Sequence, residues 1–265
     1  MSKLFWVAGL LPVAAIAAPQ TDTSTTAETM VVTASRFAEP EASILAPVNI
    51  VTREEISRLQ AKTVTEVMRT LPGVETISYG GHGQSASTAV RGGTSAQTLV
   101  LLDGVRVNAI TSGGANLNDL PLNQVERIEY VRGARASIYG ADAIGGVINI
   151  ITRPDVGTQR HQFSGGAGSR GERQLGWSST STVGTAGQLK GAAGFEQEDG
   201  YNVHPVAGVN DGDEHGYEGY NAMLDYQQAF NNQFDLFTTA RWFRNQAQYD
   251  NSYTGSWGSQ HERKE

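Results

Sequence analysis

The stretch "VERIEYVRGARASIYGADAIGGVINIITR", residues 125–153, decides the fold. Its two ends alternate β-branched and aromatic residues, which reads as a pair of strands, and the glycine-bearing "ARASIYGADAIG" links them. Just upstream, "TLVLLDGVRVN" is an apolar run, an Asp103-Gly104 turn and a second β run, the signature of a hairpin.

Working toward the N-terminus, "APVNIVTREEISRLQAKTVTEVMRTLPGVE" adds a short strand around Asn49 to Val51 that runs into two helices. Thr52 with Glu55 and Thr63 with Glu66 each have capping-box spacing. The second helix places Val64, Val67, Met68 and Leu71 on one face, and "LPG" stops it, so these four belong to the core. Residues 44–153 therefore form a compact unit of helices and short strands. Its glycine-rich loops, "YGGHGQSAS" and "NAITSGGAN", are placed for contact with something outside it.

Beyond Pro154 the texture changes to long strands with period-two patterning: "HQFSGGAGS", "ERQLGWSSTSTVG", "GQLKGAAGFEQED", "YNAMLDYQQAF" and "QFDLFTTARWFRNQAQ". Turns at "GTAG" and at Asn231-Asn232 join several of them. One face carries Leu, Phe, Trp, Ala and Met, the other Gln, Ser, Thr, Lys and Arg. That alternation fits a soluble antiparallel sheet or a membrane barrel, and the strand length of roughly ten residues favours the barrel. A transmembrane barrel closes with at least about eight strands. An open sheet leaves edge groups unsatisfied in lipid, so the sequence is expected to be an N-terminal fragment or a truncated product.

The N-terminus, "MSKLFWVAGLLPVAAIAAPQ", combines Lys3, an apolar run from Leu4 to Ala18 and small residues at Ala15, Ala17 and Ala18, the pattern of an export signal. A polar, Thr-rich tether follows, "PQTDTSTTAETM", and then the strand-prone "ETMVVTASR", with no partner strand beside it. The charge balance, 20 basic against 27 acidic residues for a net charge of -7, argues against a nucleic-acid partner. Cysteine is absent, which removes disulfides, thiolate metal sites and cysteine nucleophiles.

Few motifs point to chemistry. "GAGSRG", residues 166–171, matches a dinucleotide fingerprint, but an alternating strand follows it, so no helix N-terminus is available for a pyrophosphate. The five histidines show no paired ligand spacing and no catalytic cluster stands in a recognisable setting, so an enzyme is not expected. In "VNDGDEHGYE", Asp211, Asp213 and Glu214 offer hard oxygen donors, yet the spacing is not that of an EF-hand. The loop reads either as a solvated hairpin connection or as a cation site.

Three stretches together resemble the TonB-dependent outer-membrane receptors: "ETMVVTASR" after an export signal, "VRGGTSAQTLVLLDGVRVN", and the 125–153 segment, which is similar to the family's plug signature. The resemblance covers most of residues 28–153. Within the family, "TMVVTASRF", "LAPVNIVTREEI" and "LPGVETI" are most similar to its cobalamin (vitamin B12) transporters. It implies an α+β plug domain inside a barrel of about 22 antiparallel strands in the outer membrane of a Gram-negative bacterium. The implied divisions are a signal peptide at 1–18, a flexible segment at 19–43, the plug at 44–153 and the first barrel strands at 154–265. Glu28, Thr29, Met30, Val31, Val32 and Thr33 correspond to the TonB box, the handle for TonB and its inner-membrane energising complex. Ser85, Ser87, Thr94, Ser112 and Gly113 correspond to substrate contacts on the plug apex. Asn202, Asp211, Asp213, Tyr249 and Asp250 correspond to calcium (Ca2+) ligands, with Asn202 standing where such members carry an aspartate. The implied function is energy-coupled transport of cobalamin without covalent chemistry. The rival readings are a ferric-siderophore receptor of the same family, a soluble exported β-rich binding module and an exported hydrolase.

Overall fold

The computed structural model describes residues 31–32, 39–40, 48–118, 120–132, 139–153, 159–184, 186–202, 214–231 and 234–248. In chain order the elements are β1 (Val31–Val32), β2 (Glu39–Pro40), β3 (Val48–Thr52), α1 (Arg53–Leu59), α2 (Val64–Met68), β4 (Val74–Ser78), β5 (Ala86–Val90), β6 (Thr98–Leu102) and β7 (Val105–Arg106). They continue with β8 (Arg127–Val131), β9 (Gly146–Ile151), β10 (Arg160–Ala167), β11 (Arg173–Val183), β12 (Gly187–Glu198), β13 (Tyr217–Asn231) and β14 (Phe234–Ala247).

The two halves of the 125–153 stretch become β8 and β9, paired antiparallel with Arg127 opposite Ile151 and Val131 opposite Val147. They form the centre of a five-stranded mixed sheet in the order β3-β8-β9-β6-β7. The Asp103-Gly104 turn closes the β6–β7 hairpin as its sequence demands, while β6 also runs parallel to β9. Every residue of β8 and β9 is buried, so both faces of the sheet are covered and the strands read as nearly continuous apolar runs. Val64, Val67 and Met68 of α2 and Ile56 of α1 pack on the face presenting Ile128, Tyr130, Ile148 and Ile150. Leu71, just past α2, joins the same core.

The first capping box is complete: Thr52 Oγ1 accepts from the Glu55 N–H at 3.3 Å, and Glu55 Oε2 accepts from the Thr52 N–H at 3.1 Å. The second is only half formed, which corrects the expectation. Thr63 Oγ1 accepts from the Glu66 N–H at 3.2 Å, but the Glu66 carboxylate turns to the N–H of Lys62, 2.8 Å away, one residue outside the cap.

The strands β10 to β14 form a wall in which each pairs antiparallel with its sequence neighbour. Its polarity is inverted relative to a sheet in water. Gln188, Lys190, Asn221, Asp225 and Gln227 are buried, while Phe163, Leu175, Leu224 and Trp242 are exposed. Such a surface is stable when the outer solvent is hydrocarbon and the polar face meets protein, which counts against the soluble-module reading. The apolar-face assignment needs one correction: Met223 and Ala192 lie on the inward face, buried at 4% and 2% exposure, because the packed interior takes small or flexible side chains there. No helix among the described residues is long and apolar enough to cross a membrane.

A third correction concerns "ETMVVTASR". Val31 stands opposite Pro40 and Val32 opposite Glu39, so the segment does have a partner strand within the chain, a pair only two residues long. Proline offers no N–H to that ladder. Glu28, Thr29, Met30 and Thr33, with the signal segment 1–18, lie outside the described residues.

Candidate ligand-facing site and its seat in the wall

Two hairpin-borne loops crown the α+β unit. The first is built on Asn108, a residue the sequence reading missed. Its buried amide accepts from the Val100 N–H at 2.8 Å and donates to the Thr98 and Gly113 carbonyls at 2.9 and 2.8 Å. The loop closes on itself through Ala109 N–H to Gly114 O and Gly113 N–H to Ala109 O, both 2.8 Å. Gly113 has φ +72°, and a Cβ there would lie 2.7 Å from the Ala96 Cβ, so only glycine lets the loop rest on the Thr94–Gln97 turn. The fold thus brings Thr94, Ser112 and Gly113 together on one surface, with both hydroxyl-bearing residues exposed. Ile110, fully exposed, stands at the tip of the same loop.

Ser85 and Ser87 lie on the other loop, the β4–β5 hairpin, where Ser87 is opposite Ile77 and the Ser85 carbonyl accepts from the Tyr79 N–H at 3.0 Å. The tip of this hairpin reaches the wall. His82 stacks on Tyr217 with ring centroids 4.0 Å apart and places Nε2 3.4 Å from Glu196 Oε2. Gln84 Nε2 donates to the Gln248 carbonyl at 2.5 Å. Beside the tip a cleft of about 250 Å3 separates the unit from the wall, lined by Lys62 and Arg69 on one side and Arg170, Glu172 and Glu196 on the other. Lys62 bridges it to Glu172 at 2.6 Å.

Deeper down, the unit is bolted to the wall by buried charge. Lys190 Nζ, from β12, donates to the Gln124 and Thr152 carbonyls at 3.0 and 2.8 Å and to Glu126 Oε2 at 3.1 Å. Arg160 pairs with Glu126 and, at 3.0 Å, with Glu54. Burial alone would raise the Glu126 pKa, but Lys190 and Arg160 outweigh it and hold the carboxyl below its ordinary value. Arg53 Nη1 donates to the Leu122 and Val125 carbonyls, and its Nε reaches Gln162 on β10 at 3.2 Å. Asp103, in the hairpin turn, accepts from the N–H and hydroxyl of Thr152 at 2.7 Å each and pairs with Arg241 of β14. These side chains come from distant parts of the chain, and no local pattern announces them.

Of the residues implied as calcium ligands, Asn202 is described and half-buried, while Asp211, Asp213, Tyr249 and Asp250 lie outside the described residues. Among the described residues no group of three or more acidic or histidine side chains is disposed to hold a metal.

A mixed-sheet unit seated by buried ion pairs within an outward-apolar strand wall defines the plug and barrel wall of an outer-membrane receptor. Residues 40–147 match the TonB-dependent Receptor Plug Domain family, and the chain belongs to the TonB-dependent receptors of the Gram-negative outer membrane. It is 50% identical over 226 residues to "Vitamin B12 transporter BtuB" of Vibrio cholerae serotype O1, covering 85% of this chain and 37% of that protein. It is 38% identical over 242 residues to the protein of the same name from Vibrio vulnificus, covering 91% of this chain and 39% of that one. The chain therefore spans a little over a third of the length of these relatives. Among solved structures, the ferric enterobactin receptor PfeA of Pseudomonas aeruginosa aligns with a TM-score of 0.61 at 23% identity, covering 78% of this chain and 34% of that one. The siderophore receptor PirA of Acinetobacter baumannii aligns at 0.60 and 21%, covering 76% and 32%. The two share the fold.

Proposed function

We propose that the protein carries cobalamin across the outer membrane by TonB-dependent active transport, without covalent chemistry. The observation that carries this reading is the 50% identity, over 226 residues and 85% of this chain, to a vitamin B12 transporter. In this reading residues 1–18 export the chain, 19–43 present the TonB box, 44–153 are the plug and 154–265 begin the barrel. Ser85, Ser87, Thr94, Ser112 and Gly113 form the capture surface, where glycine leaves backbone groups within reach of a ligand. Glu28 to Thr33 are taken by TonB as an added strand and drawn by its energising complex, which loosens the plug. Asn202, Asp211, Asp213, Tyr249 and Asp250 supply oxygen donors suited to Ca2+, which would order the extracellular loops. The aromatic and aliphatic side chains of the outward face meet outer-membrane lipid.

The test is binding to outer membranes of cells carrying the gene for this chain, with radiolabelled cyanocobalamin and a panel of ferric siderophores as probes. Saturable cyanocobalamin binding, and uptake that stops when TonB is deleted, is the expected result. Binding of a ferric siderophore with none of cyanocobalamin would replace this reading by the siderophore one.

A further inference from the structure

The ligand-facing β4–β5 hairpin does not stand free: its tip is fastened to the wall at one place, and His82 is at the centre of that place. Its imidazole lies 15% exposed between Tyr217, on which it stacks at an interplanar angle of 20°, and the Glu196 carboxylate at 3.4 Å. Its backbone N–H points at Glu198 Oε1, 3.4 Å away. The neighbours reinforce the same junction. Gly83 has φ +79°, and a Cβ there would run into the Tyr217 ring and come within 2.9 Å of the Ala247 Cβ, so glycine is what lets the tip approach the wall this closely. At Gly81 a Cβ would sit 3.2 Å from Glu198 Oε1. Gln84 completes the junction by donating to the Gln248 carbonyl. Three residues beyond His82 the chain reaches Ser85, and β5 then presents Ser87.

We infer that His82 is a positioning residue for ligand capture: by clamping the hairpin tip between Tyr217 and Glu196 it holds Ser85 and Ser87 at a fixed height over the plug. The ordering of that loop is then complete before the ligand arrives, and the ligand need not supply it. The charged groups facing the ring are Lys62, on the plug side of the cleft, and Glu172, Glu196 and Glu198 on the wall side. Burial, with Lys62 adding to it, lowers the imidazole pKa to about 4, so the clamp is made by a neutral ring at physiological pH. This inference rests on the cobalamin reading above.

The experiment compares wild type with His82→Ala, His82→Gln and His82→Phe in outer membranes of cells carrying the gene, with radiolabelled cyanocobalamin as probe. Removing the ring is expected to raise the dissociation rate constant about fivefold to tenfold, a change of about 1 to 1.4 kcal/mol. It should also raise the half-saturating concentration for uptake and leave the maximal uptake rate unchanged. His82→Phe, which keeps the stack, should recover most of the loss. Should the alanine variant fail to assemble, the glutamine variant carries the same expectation. Unchanged release from assembled His82→Ala or His82→Gln membranes, or a loss confined to maximal rate, overturns the inference alone. Wild-type membranes that bind no cyanocobalamin overturn the transport reading and this inference with it.

Discussion

Lys190 and Glu126 meet at 3.1 Å across the boundary between the barrel wall and the plug, the ammonium fully buried and the carboxylate mostly so. Removing the ammonium leaves Glu126 with Arg160 alone and takes the donor from the Gln124 and Thr152 carbonyls. Lys190→Met should therefore weaken plug seating by about 1 to 3 kcal/mol. Protease access to the plug in intact outer membranes would report it, with the variant cleaved at protease levels that spare the wild type.

The same pair fixes an acid limit. A carboxyl held below its ordinary pKa of 4.5 in the folded state adds stability above that value, and the contribution is lost as pH falls through the lower folded value. The contribution of this pair to plug seating should accordingly stay constant from neutrality down to 4.5 and weaken below it. Pepsin protection of the plug at pH 3 is the measurement. Glu126→Gln should be weaker at neutral pH and show a smaller further loss in acid.

Gly113→Val tests the capture surface separately from the seat. A side chain at φ +72° and 2.7 Å from the Ala96 Cβ must push the 109–114 loop off the Thr94–Gln97 turn. Cyanocobalamin affinity should fall at least about tenfold, or roughly 1.4 kcal/mol, while heat-modifiable migration and protease resistance of the plug stay as in wild type. Equal binding by the variant would remove Gly113 from the site.

Val32→Pro probes coupling. Proline removes a backbone donor from the segment that would be added to a TonB strand. Binding to cells should persist at wild-type affinity and energised uptake should be lost. Unchanged uptake would exclude strand addition through this segment.

The elements were largely legible in the sequence because they depend on local pattern. Period-two alternation located β10 to β14 to within a few residues, and the Asp103-Gly104 turn and the alternation in residues 125–153 located β6 to β9. Arrangement was less legible. The parallel pairing of β6 with β9 joins Thr98 to Gly146, and no neighbouring residue encodes that choice. The direction of the wall's apolar face depends on the solvent outside it, so Met223 was assigned to the wrong side by composition alone. Of the five residues expected at the plug apex, Thr94, Ser112 and Gly113 are gathered by Asn108, whereas Ser85 and Ser87 come on a separate hairpin. The seat was invisible because its charges are paired across separations such as the 64 residues between Lys190 and Glu126.

The inverted polarity of the wall has an electrical consequence. Lys190, Asp225 and the amides beside them are matched by groups of the plug or by one another, and little of that interior is left to water. A plug drawn aside in a closed barrel would leave those charges lining an aqueous lumen, with the lipid-facing surface unchanged. Current through single molecules in a planar bilayer would then record each departure and return of the plug directly, without any label on the transported molecule.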